Sequence, residues 1–182
     1  MEKDWSTVEV LRHARHDWMN KIQLIKGNLS LCKYDRAKEI IDEIVVEAQN
    51  EAKLSNLNIP QFASLMFTYN WENHSFQIDY EVLDDVKCRK LDDQFLESWT
   101  RSFFARLDGS VKPFHDNHLS VLIEPQEDGI RLFFDFSGII TERESIRSYL
   151  GEQHQAIRMK MEELSEQELA LEVFMPFSRG LE

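Results

Sequence analysis

Apolar residues in the first third of the chain recur at helical spacing. Between residues 8 and 32 they follow one another every three or four positions, interrupted only by Arg15, which predicts a helix with a heptad-like seam. The seam consists of Val8, Leu11, Trp18, Ile22, Ile25, Leu29 and Cys32. The adjoining row is polar at every seventh position and contains Glu9, His16, Gln23 and Ser30. The pattern therefore predicts that His16 lies beside the seam and faces solvent.

A second amphipathic segment follows a short turn near Tyr34. Asp35 is suited to cap its N-terminus. Apolar spacing continues to about Ser55 through Ala37, Ile40, Ile41, Ile44, Val45, Ala48 and Ala52. Because the turn is short, the two helices should be antiparallel neighbours. Two helices cannot bury faces this wide alone. We therefore expect a homodimeric four-helix bundle, or else packing of the hairpin on the rest of the same chain.

The periodicity changes after Pro60. Four segments alternate as strands do, namely residues 75–83, 118–125, 130–136 and 168–177, with QEDG as a hairpin turn between the second and third. Residues 93–107 predict an amphipathic helix, and the charged stretch 141–164 is expected to be helical in part. We therefore predict an α+β protein with two domains, a helical hairpin at 1–57 and a small α/β sandwich at 58–182. One sheet of this sandwich should be covered by helices on one face.

The amino-acid composition indicates which class of protein to expect. The 182 residues are 42 % hydrophobic and 30 % charged, as in a folded globular protein. The sequence has no signal peptide and no apolar run near the ~20 residues that span a bilayer. Cys32 and Cys88 show neither disulfide nor zinc spacing, so we expect two small buried hydrophobes in a cytoplasmic chain. No membrane association is expected.

Charge is distributed unevenly along the chain. The net charge of −12 argues against nucleic-acid binding. Residues 1–57 sum to −1 and residues 58–182 to −11, yet the segment 12–26 has a local excess of +3. That excess comes from Arg12, Arg15, Lys21 and Lys26 against Asp17. It predicts an acidic or phosphorylated partner, with Arg15 and Lys21 among the residues that bind it.

An exposed imidazole at position 16 can act as a neutral nucleophile near pH 7 and accept a phosphoryl group. Asp17 or a backbone carbonyl can orient the ring, and Arg12 and Asn20, one turn to either side, can contact phosphoryl oxygens. The alternative is an ordinary surface histidine. The pairs His13/His16 and His115/His118 lack a third ligand, so no metal site is predicted.

A docking surface is expected on the same side of the helix. Leu24, Gly27 and Leu31 continue from Asn20 along one side. Gly27 costs the helix about 1 kcal/mol relative to alanine, which makes sense if another backbone approaches there. Leu24 and Leu31 are either exposed apolar anchors for a partner or a widening of the bundle face.

The spacing Arg12-x-x-x-His16-Asp17-x-x-Asn20, continued by Ile22, Ile25, Gly27 and Leu29, resembles the phosphoacceptor helix of sensor histidine kinases of the sporulation-phosphotransferase subclass. The remaining two thirds resemble that family through the order of elements. The resemblance implies that His16 is the phosphoacceptor, assisted by Asp17, Arg12 and Asn20. It also implies that residues 1–57 serve dimerisation and phosphotransfer, and that residues 58–182 derive from a kinase ATP-binding domain.

Kinases of this kind bind ATP through an asparagine-bearing helix and glycine-rich loops. The predicted helix 93–107 contains no asparagine, and Asp135 is followed by Phe136, Ser137 and Gly138 where a kinase has Asp-x-Gly-x-Gly. A cradle for triphosphate is therefore not expected.

The family then implies another source of phosphate. The aspartyl-phosphate of a single-domain response regulator would phosphorylate His16, which would pass the group to a response-regulator transcription factor of sporulation. Mg²⁺ would come with the regulators, and no cofactor is expected to be bound permanently. Two alternatives stay open, an ATP-dependent sensor-type histidine kinase and a non-catalytic dimeric module that binds a response regulator.

Overall fold

The computed structural model describes residues 5–84, 86–88, 90–152 and 156–178. The chain divides into two compact units, the first ending at Gln49 and the second beginning at Asn50. Across the described ranges, no helix is both long enough and apolar enough to cross a membrane.

The first unit is a hairpin of α1 (Thr7–Ser30) and most of α2 (Tyr34–Asn56). Ser6 and Glu9 start α1 with a capping box, in which the Ser6 hydroxyl accepts the Glu9 N–H and the Glu9 carboxylate accepts the Ser6 N–H. The chain then reverses within three residues around Cys32, which has a φ of 58°.

Two predictions about this reversal were wrong. Because α2 begins at Tyr34, Asp35 lies in its first turn instead of capping it, where its charge still favours the helix dipole. Cys32 is exposed because it sits at the chain reversal, whereas Cys88 is buried as predicted.

Most of the predicted seam of α1 does not face α2. The half-buried residues of α1 between positions 10 and 28 are Val10, His13, Ala14, Asp17, Lys21, Ile25 and Asn28, of which only Ile25 belongs to the seam. Lys21 forms an ion pair with Glu47 of α2, so the side of α1 that carries Lys21 lies against α2. No residue of α1 is buried. Within the described chain, five seam side chains are 46–66 % exposed: Val8, Leu11, Trp18, Ile22 and Leu29.

In its described residues, the second unit contains the end of α2, one sheet, three further helices and a 3-10 turn. Its elements after α2 are α3 (Pro60–Thr68), the 3-10 turn Tyr69–Trp71, β1 (Gln77–Val82), α4 (Asp93–Asp108), β2 (His118–Pro125), β3 (Gly129–Ser137), α5 (Arg143–Leu150), β4 (Arg158–Leu164) and β5 (Glu168–Pro176). The strand order is β1-β2-β3-β5-β4, in which β1 and β2 are parallel and the other neighbours antiparallel.

Alternation along the strands places apolar residues on one face of this sheet. Leu119, Val121 and Ile123 of β2 are buried, while Ser120 and Leu122 between them are partly exposed. Aromatic side chains of α4 complete the core, with the Phe103 ring 5.1 Å from that of Phe134. The prediction of one sheet covered by helices on one face is confirmed.

Two elements differ from the predictions. Helix α3 was not predicted, because its nine residues are too few for the helical spacing of its polar residues, Gln61, Ser64 and Thr68, to stand out. The stretch 141–164 is helical only in α5. Its end forms β4, an edge strand paired with β5, whose register is irregular between Met161 and Glu163.

Candidate functional site

His16 occupies the exposed row of α1, and its side chain is 72 % exposed. Its Nδ1 atom lies 3.2 Å from Asn20 Nδ2 and 3.5 Å from an Asp17 carboxylate oxygen. Among the described residues, nothing hydrogen-bonds to Nε2. One ring nitrogen is therefore held by neighbours on the same helix, and the other is open to a reactant.

The two contacts at Nδ1 control which nitrogen carries the proton. Asp17 can only accept when ionised, so it favours the tautomer with a proton on Nδ1 and a lone pair on Nε2. Asn20 Nδ2, which lies at Nδ1, is a donor and as placed favours the other tautomer. Rotation of that amide by half a turn brings its oxygen to Nδ1, where it accepts the same proton as Asp17. The arrangement can present Nε2 as a nucleophile.

The basic residues around His16 have different environments. Arg12 and Arg15 are exposed and form no ion pair with any described residue. Lys21 is paired with Glu47, and its ammonium group lies 5.9 Å from the centroid of the Trp18 ring. Of the two cations predicted to bind a partner, Arg15 faces solvent and Lys21 is engaged by α2.

Glu47 was not among the predicted site residues, and the sequence contains only a partial signal for it. Positions 21 and 47 are equally distant from Tyr34, near which the sequence predicts the turn. Residues placed symmetrically about a tight turn lie side by side in an antiparallel hairpin. The two opposite charges are compatible with a cross-helix ion pair, although the sequence alone does not select Glu47 as the partner of Lys21.

The predicted docking row is accessible. Leu24 is 58 % and Leu31 67 % exposed. A methyl group added at Gly27 would meet no atom within 4 Å, so packing within the chain does not require glycine there. These three positions form an exposed apolar strip beside His16, in which Gly27 leaves the backbone uncovered by a side chain.

The turn after Asp135 is packed against the protein. The N–H groups of Gly138, Ile139 and Ile140 donate to Gln167 O, Asn117 Oδ1 and Glu166 O, each at 2.9 Å. A Cβ atom at Gly138 would lie 2.3 Å from Asn117 Oδ1. This glycine therefore allows close packing, and the backbone donors that a nucleotide loop offers to phosphate are used internally.

Asp135 itself points to the open face of the sheet. It is exposed, whereas Phe134 and Phe136 on either side are buried towards the helices. Among the residues that the structure describes, no group of three or more His, Cys, Asp or Glu side chains is arranged to hold a metal ion.

Both parts of the chain match profiles of known protein families. Residues 2–57 match the profile described as the alpha-helical domain of the SpoOB-type sensor kinase, and residues 58–176 match that of the C-terminal part of sporulation initiation phosphotransferase B. Sporulation initiation phosphotransferase B of Bacillus subtilis (strain 168) is 37 % identical over 168 residues, which span 91 % of this chain and 88 % of that protein.

Solved structures of histidine kinases show a more distant likeness. The catalytic domain of the histidine kinase ThkA has 9 % identity and a TM-score of 0.42 over 69 % of this chain and 92 % of that one. The Acinetobacter baumannii histidine kinase AdeS has 9 % identity and a TM-score of 0.41 over 90 % of this chain and 98 % of that one. On the two profile matches and the Bacillus subtilis relative, the chain belongs to the sporulation initiation phosphotransferase B family.

Proposed function

We propose that this chain is a phosphorelay phosphotransferase that moves a phosphoryl group between two response regulators through His16, in the initiation of sporulation. The observation that carries the proposal is the geometry at His16, with Nδ1 held by neighbours and Nε2 open on an exposed row. The name of the Bacillus subtilis relative supports the reaction class and the sporulation role.

In the first half-reaction, Nε2 attacks the phosphorus of an aspartyl-phosphate in line with the leaving oxygen. An N–P bond forms, the O–P bond breaks and the regulator's carboxylate leaves. The proton stays on Nδ1, where Asp17 stabilises the positive charge that develops on the ring. Arg12, on the same helical row, neutralises phosphoryl oxygens.

The second half-reaction is the reverse with another regulator. Its aspartate oxygen attacks the phosphorus, the N–P bond breaks and neutral His16 is regenerated. Both phosphorylated species are high-energy compounds, so the transfer runs in either direction. No hydrolysis or nucleotide is needed.

The partners follow from charge and from the family. A single-domain response regulator would be the donor, and a response-regulator transcription factor of sporulation the acceptor. Each would bring an acidic pocket with its own Mg²⁺, which neutralises phosphoryl charge when bound. Arg15 would attract that pocket, while Leu24, Gly27 and Leu31 would contact the regulator's surface. Such partners place the reaction in the cytoplasm.

A homodimer completes the hairpin. The open seam of α1 has the width and spacing of a bundle interior, and His16 lies outside it on the exposed polar row. Two hairpins joined through their seams would bury the apolar residues and leave both histidines outside. We therefore propose a dimeric four-helix bundle.

Label transfer tests the proposal. One reaction contains the protein and a single-domain response regulator with ³²P on its aspartate, and a parallel reaction contains labelled ATP and Mg²⁺. We expect acid-labile, base-stable label on His16 from the regulator alone. Label from ATP alone would support the histidine kinase instead. Regulator binding without label would support the non-catalytic module.

A further inference from the structure

The ion pair between Lys21 and Glu47 joins α1 to α2 a turn and a half after His16. The Lys21 ammonium contacts the Glu47 carboxylate and also faces the Trp18 ring. The Lys21 side chain is only 31 % exposed, against 53 % for Glu47. Lys21 is therefore directed into the junction of the two helices.

Near His16, the larger half-buried side chains of α1 are His13 and Lys21, and Lys21 is ion-paired with α2. The half-buried face there includes Ala14 and Asp17, whose short side chains give little interlocking. If α1 turned by about 20° on its axis, a group some 5–6 Å from that axis would move by about 2 Å. Misplacement by about 1 Å can slow an enzymatic step by about 100-fold, so this rotation matters for in-line transfer.

We propose that Glu47 is a positioning residue that, through Lys21, fixes the rotation of α1 and hence the direction of His16 Nε2. The inference rests on the proposed phosphotransfer at His16. It reassigns Lys21, which acts inside the hairpin and does not contact the regulator. The adjacent carboxylate cancels most of the attraction that Lys21 would exert on an acidic pocket.

Because the ion pair is weak, its removal can test the alignment of His16 separately from the stability of the hairpin. Partly exposed ion pairs contribute little to stability, so their loss should leave the helices folded. Their effect on alignment is separate, because alignment changes the rate within the complex and not the affinity.

The experiment compares Lys21→Glu, Glu47→Lys and the double exchange. Each protein is mixed with the ³²P-labelled single-domain regulator, and the first-order transfer rate within the complex and the Kd are measured separately. We expect each single variant to transfer about 10-fold more slowly with an unchanged Kd, by misalignment alone. The double exchange should recover to within about 3-fold of the original rate, since only the contact of a cation with Trp18 is lost.

The control is an ion pair within one helix. Arg36 of α2 pairs with Glu39 at 2.9 Å and with Glu43 at 3.1 Å. Arg36→Glu with Glu39→Arg therefore exchanges charges within one helix, where the new arginine lies three and four residues from the two carboxylates. It should transfer at the original rate. The neutral variants Lys21→Gln and Glu47→Gln, checked by circular dichroism, test the same rates if a charge reversal disturbs folding.

Each outcome decides between the two roles of Lys21. If the double exchange stays as slow as Lys21→Glu, or if both raise the Kd, Lys21 contacts the regulator and the inference is overturned. If the unaltered protein accepts no label, the proposed function fails and the inference with it. Recovery by the double exchange alone supports Glu47 as the positioning residue.

Discussion

Helices α1 and α4 have the same kind of amphipathic pattern but very different surroundings. Helix α4 buries six residues against the sheet and its neighbours, whereas α1 buries none. The seam of α1 is nonetheless as regular as the apolar face of α4. An apolar stripe therefore indicates that a helix has a partner, and it does not indicate whether the partner belongs to the same chain.

The largest effect on phosphoryl transfer should come from a substitution in the helical hairpin, whose helix α1 has no buried residue. We expect His16→Ala to abolish phosphoryl acceptance, because no other described side chain on its row offers a nucleophilic nitrogen. The midpoint of thermal unfolding should stay unchanged, since His16 is exposed. Label transfer and calorimetry check the two halves of this prediction. Retained label or an unfolded variant would show that His16 is not the acceptor.

In the α/β unit we expect the opposite, a large loss of stability from a single substitution in the core. Phe134 is fully buried between Trp99, Phe103 and Phe104. Phe134→Ala should lower the free energy of unfolding by about 3–5 kcal/mol through the cavity it leaves. Urea denaturation followed by tryptophan fluorescence measures the loss. A change below about 1 kcal/mol would mean that this core can collapse around the vacancy.

The two cysteines report on the two units separately. Burial raises the pKa of the Cys88 thiol to about 11. A pKa raised from 9.0 keeps the thiol protonated at pH 8, which lowers its reactive thiolate about 100-fold before access is counted. Iodoacetamide at pH 8 should therefore modify Cys32 first, as mass spectrometry can show. If native Cys32 is protected too, another chain covers the end of the hairpin.

A charge in the seam tests the proposed dimer. Ile22 is 50 % exposed within the chain, so Ile22→Asp should cost a single hairpin little. In a bundle it buries an unpaired carboxylate, which should weaken the dimer at least about 10-fold. Sedimentation across a concentration series measures this. An unchanged association constant would indicate that the seam is covered in some other way.

The smallest effect is expected at Gly27. Gly27→Ala should stabilise the helix by about 1 kcal/mol, because a methyl group there meets nothing. If a regulator's backbone approaches this point, the same change should weaken regulator binding. Thermal unfolding and titration calorimetry separate the two effects. Tighter or unchanged binding would remove Gly27 from the docking surface.

The sequence predicts the elements in which apolar and polar residues alternate regularly, because one side of each element packs against the core. Strand β2 was predicted with its observed bounds, because its buried and partly exposed residues alternate without a break. Strand β4 was missed, because Arg158, Lys160 and Glu163 favour a helix locally and only pairing with β5 makes the segment extended. Helix α3 was missed for another reason, since nine residues are too few for the spacing of Gln61, Ser64 and Thr68 to establish a helical period.

At the site, the sequence predicts the position of His16 on an exposed row, because its heptad row is wholly polar. It does not predict where Lys21 points. That depends on Glu47, 26 positions further along the chain, and on the turn that brings the two together. Local pattern predicts a surface, whereas the partner of each charge on it depends on tertiary contacts.

The two strands at the margins of the sheet have a consequence for the protein in a crowded cell. Strand β1 exposes Asp79 and Glu81, and β4 carries charges beside its irregular register near Met161. Such margins resist the addition of a foreign strand and so reduce aggregation during synthesis. A protein whose helix α1 leaves apolar side chains exposed benefits from sheet edges that do not attract another strand.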